Sequence, residues 1–265
     1  MAEPTERGAH HVQSLERGLA VIRAFDAGSP ELTLSDVARA TGLTRAAARR
    51  FLLTLVDLGY VRTDGKYFSL TARVLELGYA FLSSMTLPEV AQPHLERLSA
   101  EVRESSSVSV LEGADIVYVA RVAVSRIMTV SINVGTRFPA YATSMGHVLL
   151  AGLDDDEFAE YLHQAELQRL TSHTLTSPAA LRAELAAVRE QGWALVDQEL
   201  EEGLRSVAAP IRDRRGRVVA AVNVSTHASR TPRETVIRDM VPPLLAAATR
   251  IEGDLAVAPA QARRG

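Results

Sequence analysis

"GLTRAAARRFLLTL", residues 42–55, sets Arg45, Arg49 and Arg50 within six positions, separated only by alanines, in a chain of 265 residues with formal net charge -3. An isolated charge run is usually a solvated helix face, so its flanks decide what it means. Thr44 is an N-cap for a helix on which Ala48, Phe51, Leu52 and Leu55 share one face, ending at Gly59. Just upstream, "LTLSDVARATGL" (32–43) offers Thr33 as a cap, Asp36 in the first turn, apolar Leu34, Val37 and Ala38, and Gly42 as terminator. Before it, "SLERGLAVIRAFD" (14–26) spaces Leu15, Leu19, Ile22 and Phe25 as a further helix, with Gly28 and Pro30 to stop it. Two short helices joined across a Gly-containing turn predict a helix-turn-helix, whose second helix enters the DNA major groove.

At about 100° per residue, centring Ala48 on the buried face puts Ala46, Arg49 and Arg50 on the opposite arc and Arg45 on its shoulder. Small residues near the helix start let the backbone approach base edges, and arginine can fork onto guanine or phosphate. "YVRTDGKYFSL" (60–70) follows, two alternating runs about Asp64-Gly65, a strong hairpin signal. Helix, helix, helix and hairpin make a winged helix-turn-helix, with Arg62 and Lys66 on the wing able to reach phosphates. The DNA-contacting set read from the sequence is thus Thr44, Arg45, Ala46, Arg49, Arg50, Arg62 and Lys66.

Composition narrows the rest. A hydrophobic content of 47% and charged content of 23% suit a globular protein with a sizeable core. No apolar run approaches the roughly 20 residues needed to cross a bilayer, and residues 1–13 lack the pattern of a signal peptide, so a cytoplasmic location without membrane association is expected. The chain has no Cys, and its His form no HxxxH or HExxH pair, so neither a metal nor any other cofactor is expected. Residues 71–85, "TARVLELGYAFLSSM", carry a broad apolar surface that reads as a linker helix available for dimerisation. Pro88 then introduces a long helix through Arg103.

From Ser106 the period shifts to two. "SSVSVLEG", "DIVYVARV" and "RIMTVSINV" read as strands, helices return at His147–Leu153, Asp154–Gln164 and Ser177–Gln191, and strands reappear in "WALVDQE", "LRSVAAPIRD" and "RVVAAVNVSTH". A final helix is expected over Pro232–Gly253. The class is α+β, with a mixed or antiparallel sheet covered by helices, divided into a winged helix-turn-helix over 12–70, a linker helix over 71–87 and a C-terminal domain over 88–256.

In this order the pieces resemble the IclR family of bacterial transcription regulators. The resemblance runs through "GLTRAAARRFLLTLVDLGYV", "VGTRFPAYATSMGHVLLAGL" (134–153) and "GWALVDQELEEGLRSVAAPIRDRRGRVVAAVNVS" (192–225). "TRFPAYATSMG" with "VDQELEEG" further resembles the branch controlling aromatic-acid catabolism through the β-ketoadipate pathway. The resemblance implies a GAF-like α/β effector domain enclosing a small organic acid, such as protocatechuate, 4-hydroxybenzoate or β-ketoadipate. It implies double-stranded operator DNA as partner and a homodimer or homotetramer as the working assembly. Matched positions assign Ser144, Met145, Asp197, Ser206, Asn223 and Ser225 to the effector, Ser144 and Met145 lying where a helix N-terminus favours a carboxylate. Arg137 and His147 are added as candidate cationic partners.

Two other functions compete: a regulator that uses its C-terminal domain only to oligomerise, and a small-molecule hydrolase built on Ser144, His147 and Asp197. Against the hydrolase, no GxSxG elbow frames a serine, and Ser144 and His147 stand three residues apart where triad members come from separate loops. No enzyme activity is therefore expected.

Overall fold

The computed structural model describes residues 12–26, 28–77, 86–124 and 132–257, which fall into two compact units dividing between Ser83 and Ser84. In the first, α1 (Gln13–Arg23) is followed by β1 (Glu31–Thr33), α2 (Leu34–Thr41), α3 (Arg45–Asp57), β2 (Val61–Thr63) and β3 (Tyr67–Leu70). Helix α2 starts on a capping box: the Thr33 hydroxyl accepts from the Asp36 amide and the Asp36 carboxylate accepts from the Thr33 amide at 3.1 Å. It stops at Gly42, whose φ of 66° lies in the left-handed region. Thr44 caps α3 by accepting from the Ala47 amide at 3.2 Å. Val21, Val37, Ala48, Leu52, Val61 and Phe68 close the core between helices and sheet.

The first unit departs from the sequence reading twice. Glu31–Thr33 is a third strand, and the antiparallel order is β1-β3-β2 rather than a lone hairpin. Helix α1 ends at Arg23 and buries Val21, while Leu15 and Leu19 remain 63% and 46% exposed. Of the expected linker helix, Ala72–Val74 form a 3-10 turn and 75–77 are helical; its remaining residues through 85 lie outside the described residues.

The second unit is a six-stranded antiparallel sheet of order β6-β5-β4-β9-β8-β7 with helices on both faces. Its elements are α4 (Thr86–Val102), β4 (Ser105–Glu112), β5 (Asp115–Val122), β6 (Arg137–Pro139), α5 (Ser144–Ala151), α6 (Asp155–Gln164), α7 (Pro178–Gln191), β7 (Ala194–Asp197), β8 (Leu204–Arg212), β9 (Val218–His227), α8 (Arg233–Asp239) and α9 (Val241–Val257). One face packs Val108, Val207 and Val222 against Leu95, Leu98, Leu244 and Ile251 of α4 and α9. The other packs Ile116, Ala208 and Ala221 against Met145, Leu149, Leu181 and Leu185 of α5 and α7.

Three expectations change here. The strand read in "RIMTVSINV" falls largely outside the described residues; Ile132–Val134 are not in a strand, and the edge position is taken by β6. Helix α5 begins at Ser144, because Thr143 accepts from the Gly146 amide at 3.0 Å and so caps it. The last helix breaks at Met240 into α8 and α9.

Candidate functional site

In the first unit α3 presents Arg45, Ala46, Arg49 and Arg50 to solvent, while Ala48 is fully buried beneath them. None of the three arginines has a carboxylate partner among the described residues, so their charge is available to an anion. The wing turn is built by Asp64, whose Oδ1 accepts from the Tyr67 and Lys66 amides at 2.7 and 2.8 Å. Those bonds hold its carboxyl below the usual range, and Gly65 supplies the positive φ of 99° that the turn requires. Lys66 projects from the tip with Nζ 4.8 Å from the Tyr67 ring centroid. Arg62 is exposed but steadied, its Nε donating to the Ser69 hydroxyl at 3.0 Å.

In the second unit, five of the residues assigned to an effector line one small, partly open cavity: Ser144, Met145, Ser206, Asn223 and Ser225. The strand period explains the last three. Ser206 and Ser225 are direct partners on β8 and β9, and Asn223 is two residues from Ser225, so all three share a face. The Ser144 and Ser206 hydroxyls lie 2.8 Å apart. With the Gly146 amide held by Thr143, the Ser144 and Met145 amides remain as first-turn donors without intrahelical acceptors. Asn223 donates to Ser225 at 3.0 Å and leaves its buried Oδ1 without a partner. Exchanging the two amide ends would leave one polar atom unpaired just the same.

Three assigned residues are elsewhere. Asp197 is paired with Arg205 on the ladder, whereas the cavity is lined by Val196 and its partner Ser206, so alternation points Asp197 to the opposite face. There its Oδ2 accepts from Arg205 at 2.8 Å. Arg137 stands on edge strand β6, donating to Asp115 at 3.1 Å and to Glu112 at 2.9 Å, which occupies its charge away from the cavity. His147 is wholly buried, and burial pushes its pKa down to about 4. The ring is therefore neutral near pH 7, with Nε2 2.6 Å from the Tyr141 carbonyl, and supplies no positive charge.

Sequence reasoning also passed over residues that the fold brings in. Tyr118, Val196, Leu200 and Leu204 supply apolar wall. Tyr118 was accessible to the period-two pattern, since it alternates with inward-facing Ile116 on β5. Glu199 is buried with Oε2 4.0 Å from His147 Nε2 and unpartnered. Burial raises its pKa to about 7, with the nearby Glu184 and Asp197 charges adding to the shift and a bond from the Leu175 backbone opposing it. Among the described residues no cluster of His, Asp and Glu could hold a metal, and no helix is long and apolar enough to cross a membrane.

Residues 14–65 match the family described as IclR helix-turn-helix domain, and residues 79–253 the one described as bacterial transcriptional regulator IclR C-terminal. The chain belongs to the IclR family. It is a transcriptional regulator and not an enzyme, and its two units are the helix-turn-helix and α/β parts of that architecture. This IclR-family chain is 50% identical over 235 residues to the Pca regulon regulatory protein of Pseudomonas putida, across 88% of this chain and 81% of that one. A transcriptional regulator from Rhodococcus sp. RHA1 has a similar structure, with TM-score 0.85 and 64% identity over 94% of this chain and 100% of the other. An IclR homolog from Microbacterium hydrocarbonoxydans, solved as a complex with 4-hydroxybenzoate, has TM-score 0.80 and 30% identity over 91% of this chain and 98% of the other.

Proposed function

We propose that this IclR-family regulator reads double-stranded operator DNA with α3 and the wing, and that a small hydroxylated aromatic acid bound in the cavity controls that reading. Residues 12–70 are the DNA-binding part, 88–256 the effector-binding part, and 71–87 the connection. The observation that carries the effector reading is the convergence of the Ser144–Ser206 hydroxyl pair, the first-turn amides of α5 and the unpartnered Asn223 amide oxygen around one partly apolar cavity. Such a lining suits a ring with polar substituents at its margins. The 4-hydroxybenzoate complex of the Microbacterium homolog and the Pca regulon assignment of the Pseudomonas relative support the same ligand class.

Arg49 and Arg50 read bases, while Arg45, Arg62 and Lys66 hold phosphates, with Thr44 and Ala46 allowing close approach at the helix start. One winged helix covers a short half-site, so the working assembly is a dimer or a pair of dimers on an inverted repeat, acting in the cytoplasm where the DNA is. The effector site and the DNA face belong to different units, so the acid acts by binding one arrangement of the regulator more tightly than another.

Fluorescence anisotropy of the full chain on a labelled fragment from upstream of its own gene tests this reading. Adding 4-hydroxybenzoate or protocatechuate should change the apparent Kd for DNA at least fivefold. DNA binding that is indifferent to both acids would leave the C-terminal part as an oligomerisation module.

A further inference from the structure

Arg121 on β5 is a half-buried guanidinium that no carboxylate neutralises among the described residues. Among the described residues its Nη1 donates to the Ser107 hydroxyl at 3.1 Å, and its buried Nε has no partner. Burial pulls its own pKa down. The other arginines of this sheet differ: Arg205 is paired with Asp197, Arg137 with Glu112 and Asp115, and Arg212 with Glu252. A cation taken partly out of water without a counter-charge is destabilising, so its presence calls for an anion.

Strand register places Arg121 beside the cavity. Ser107 on β4 is directly opposite Arg121 on one side and Asn223 on the other, so the three side chains share the cavity face. Ser109, two residues along, is opposite Tyr118, a cavity-lining residue. Burial pushes the Tyr118 hydroxyl up to about 12, and the charge of Arg121 pulls against that rise, so the guanidinium is felt in the cavity wall. Arg121 Nε, Ser109 Oγ and Asn223 Oδ1 are all buried polar atoms without partners, and all lie on this one patch.

We propose that Arg121 anchors the carboxylate of the effector, with the opposite polar end of the ligand, a hydroxyl or a second carboxylate, reaching the Ser144–Ser206 pair and the α5 amides. This rests on the cavity being the effector site. It turns the acid around relative to the sequence expectation, which set the carboxylate at the helix N-terminus. The planar fork of a guanidinium matches a carboxylate through two parallel bonds. The Ser144 and Ser206 hydroxyls and the α5 amides at the other end can donate to a phenolic oxygen, while the Asn223 amide oxygen can accept a hydrogen bond from a hydroxyl. The ligand class is a small acid polar at both ends, with an apolar middle against Tyr118 and Leu200.

The test compares 4-hydroxybenzoate with its uncharged methyl ester, by thermal shift and calorimetry, in the full chain and two variants. In the parent, the acid should raise Tm and bind at least tenfold tighter than the ester. Arg121→Met should unfold no lower than the parent without ligand, lose at least tenfold in acid affinity, and bind acid and ester alike. Ser206→Leu with Asn223→Leu should lose both ligands. An Arg121→Met chain that keeps the preference for the acid overturns the anchor, as does a ligand-free Tm several degrees below the parent's, which would mark Arg121 as structural. Acid binding retained in the double-leucine variant overturns the cavity reading instead, and a parent responding to neither probe overturns both.

Discussion

Gly146→Ala sets two effects against each other at the helix that frames the cavity. Alanine is favoured over glycine inside a helix by about 1 kcal/mol, so propensity alone predicts a stabler protein. The backbone predicts the reverse. A Cβ on Gly146 would lie 1.9 Å from the Ala140 carbonyl oxygen and 2.5 Å from the Ala140 carbonyl carbon and Cα. These are main-chain atoms of the turn leading into α5, so no side chain can swing aside, and the helix must lift off that turn. Overpacking of this kind costs about 3 kcal/mol or more, leaving a net loss of about 2 kcal/mol and a Tm about 4 to 8 °C lower for a unit of this size. The lifted helix carries Ser144 and Met145 with it, so the response to acid should weaken as well. Scanning calorimetry of the full chain is the assay, with Gly253→Ala as control: that glycine also lies in a helix, but nothing stands within 4 Å of its added Cβ. The control should gain up to about 1 kcal/mol. Gly146→Ala unfolding at or above the parent's Tm would refute the close-approach argument.

Glu199, with its pKa raised to about 7 from 4.5, keeps its proton in the native state over an interval where the unfolded chain has lost it, so it lowers stability as pH rises through that interval. Glu199→Gln should therefore gain on the parent between pH 5 and 8, by up to about 3 kcal/mol, in pH-dependent thermal melts; a constant difference across that range would contradict the assignment. His147 works in the opposite sense, since lowering its pKa from 6.5 to about 4 makes stability fall as pH drops through that window. Arg49→Ala and Arg50→Ala should each weaken operator binding by about 1 to 3 kcal/mol, while Lys66→Ala weakens all DNA alike and flattens the salt dependence. Unchanged operator affinity in the arginine double variant, with circular dichroism intact, would remove α3 from the interface. Thr33→Ala should lower the stability of the winged unit by about 1 kcal/mol in denaturant titrations, because it removes one half of the capping box and leaves an amide unpaired.

What the sequence made legible was local chemistry. Thr33 with Asp36, Gly42, Thr44 and the Asp64-Gly65 turn each announce an element boundary, because capping and positive φ depend on a few neighbouring residues. The same holds for Ser206, Asn223 and Ser225, which a period of two assigns to one face once their strands are recognised. Partnerships across long stretches of chain were not legible. Glu31–Thr33 is a strand only because β3 lies beside it. Arg137 is neutralised by carboxylates 22 and 25 residues away, so its apparent availability in the sequence vanished on folding. Asp197 missed the cavity by one residue of register, which in a strand is a change of face. Arg121 went unremarked for the converse reason, since an arginine in an alternating run reads as solvated until the sheet leaves its Nε buried. Strand pattern is written in neighbouring residues, whereas the pairing that neutralises Arg137 and Asp197 depends on partners elsewhere in the fold.

The cavity of Ser144, Ser206 and Asn223 is where a small acid is proposed to act on this regulator. Isothermal titration calorimetry of 4-hydroxybenzoate, protocatechuate and β-ketoadipate into the full chain, and into its Ser206→Leu, Asn223→Leu variant, tests it most directly. At least one acid should release or absorb heat saturably with the parent, at one site per chain, and the double variant should show none while still binding operator DNA with near-parental affinity. Saturable heat of the same size and affinity in the double variant would move the site elsewhere, and the absence of heat with all three acids in the parent would contradict control by this class of ligand.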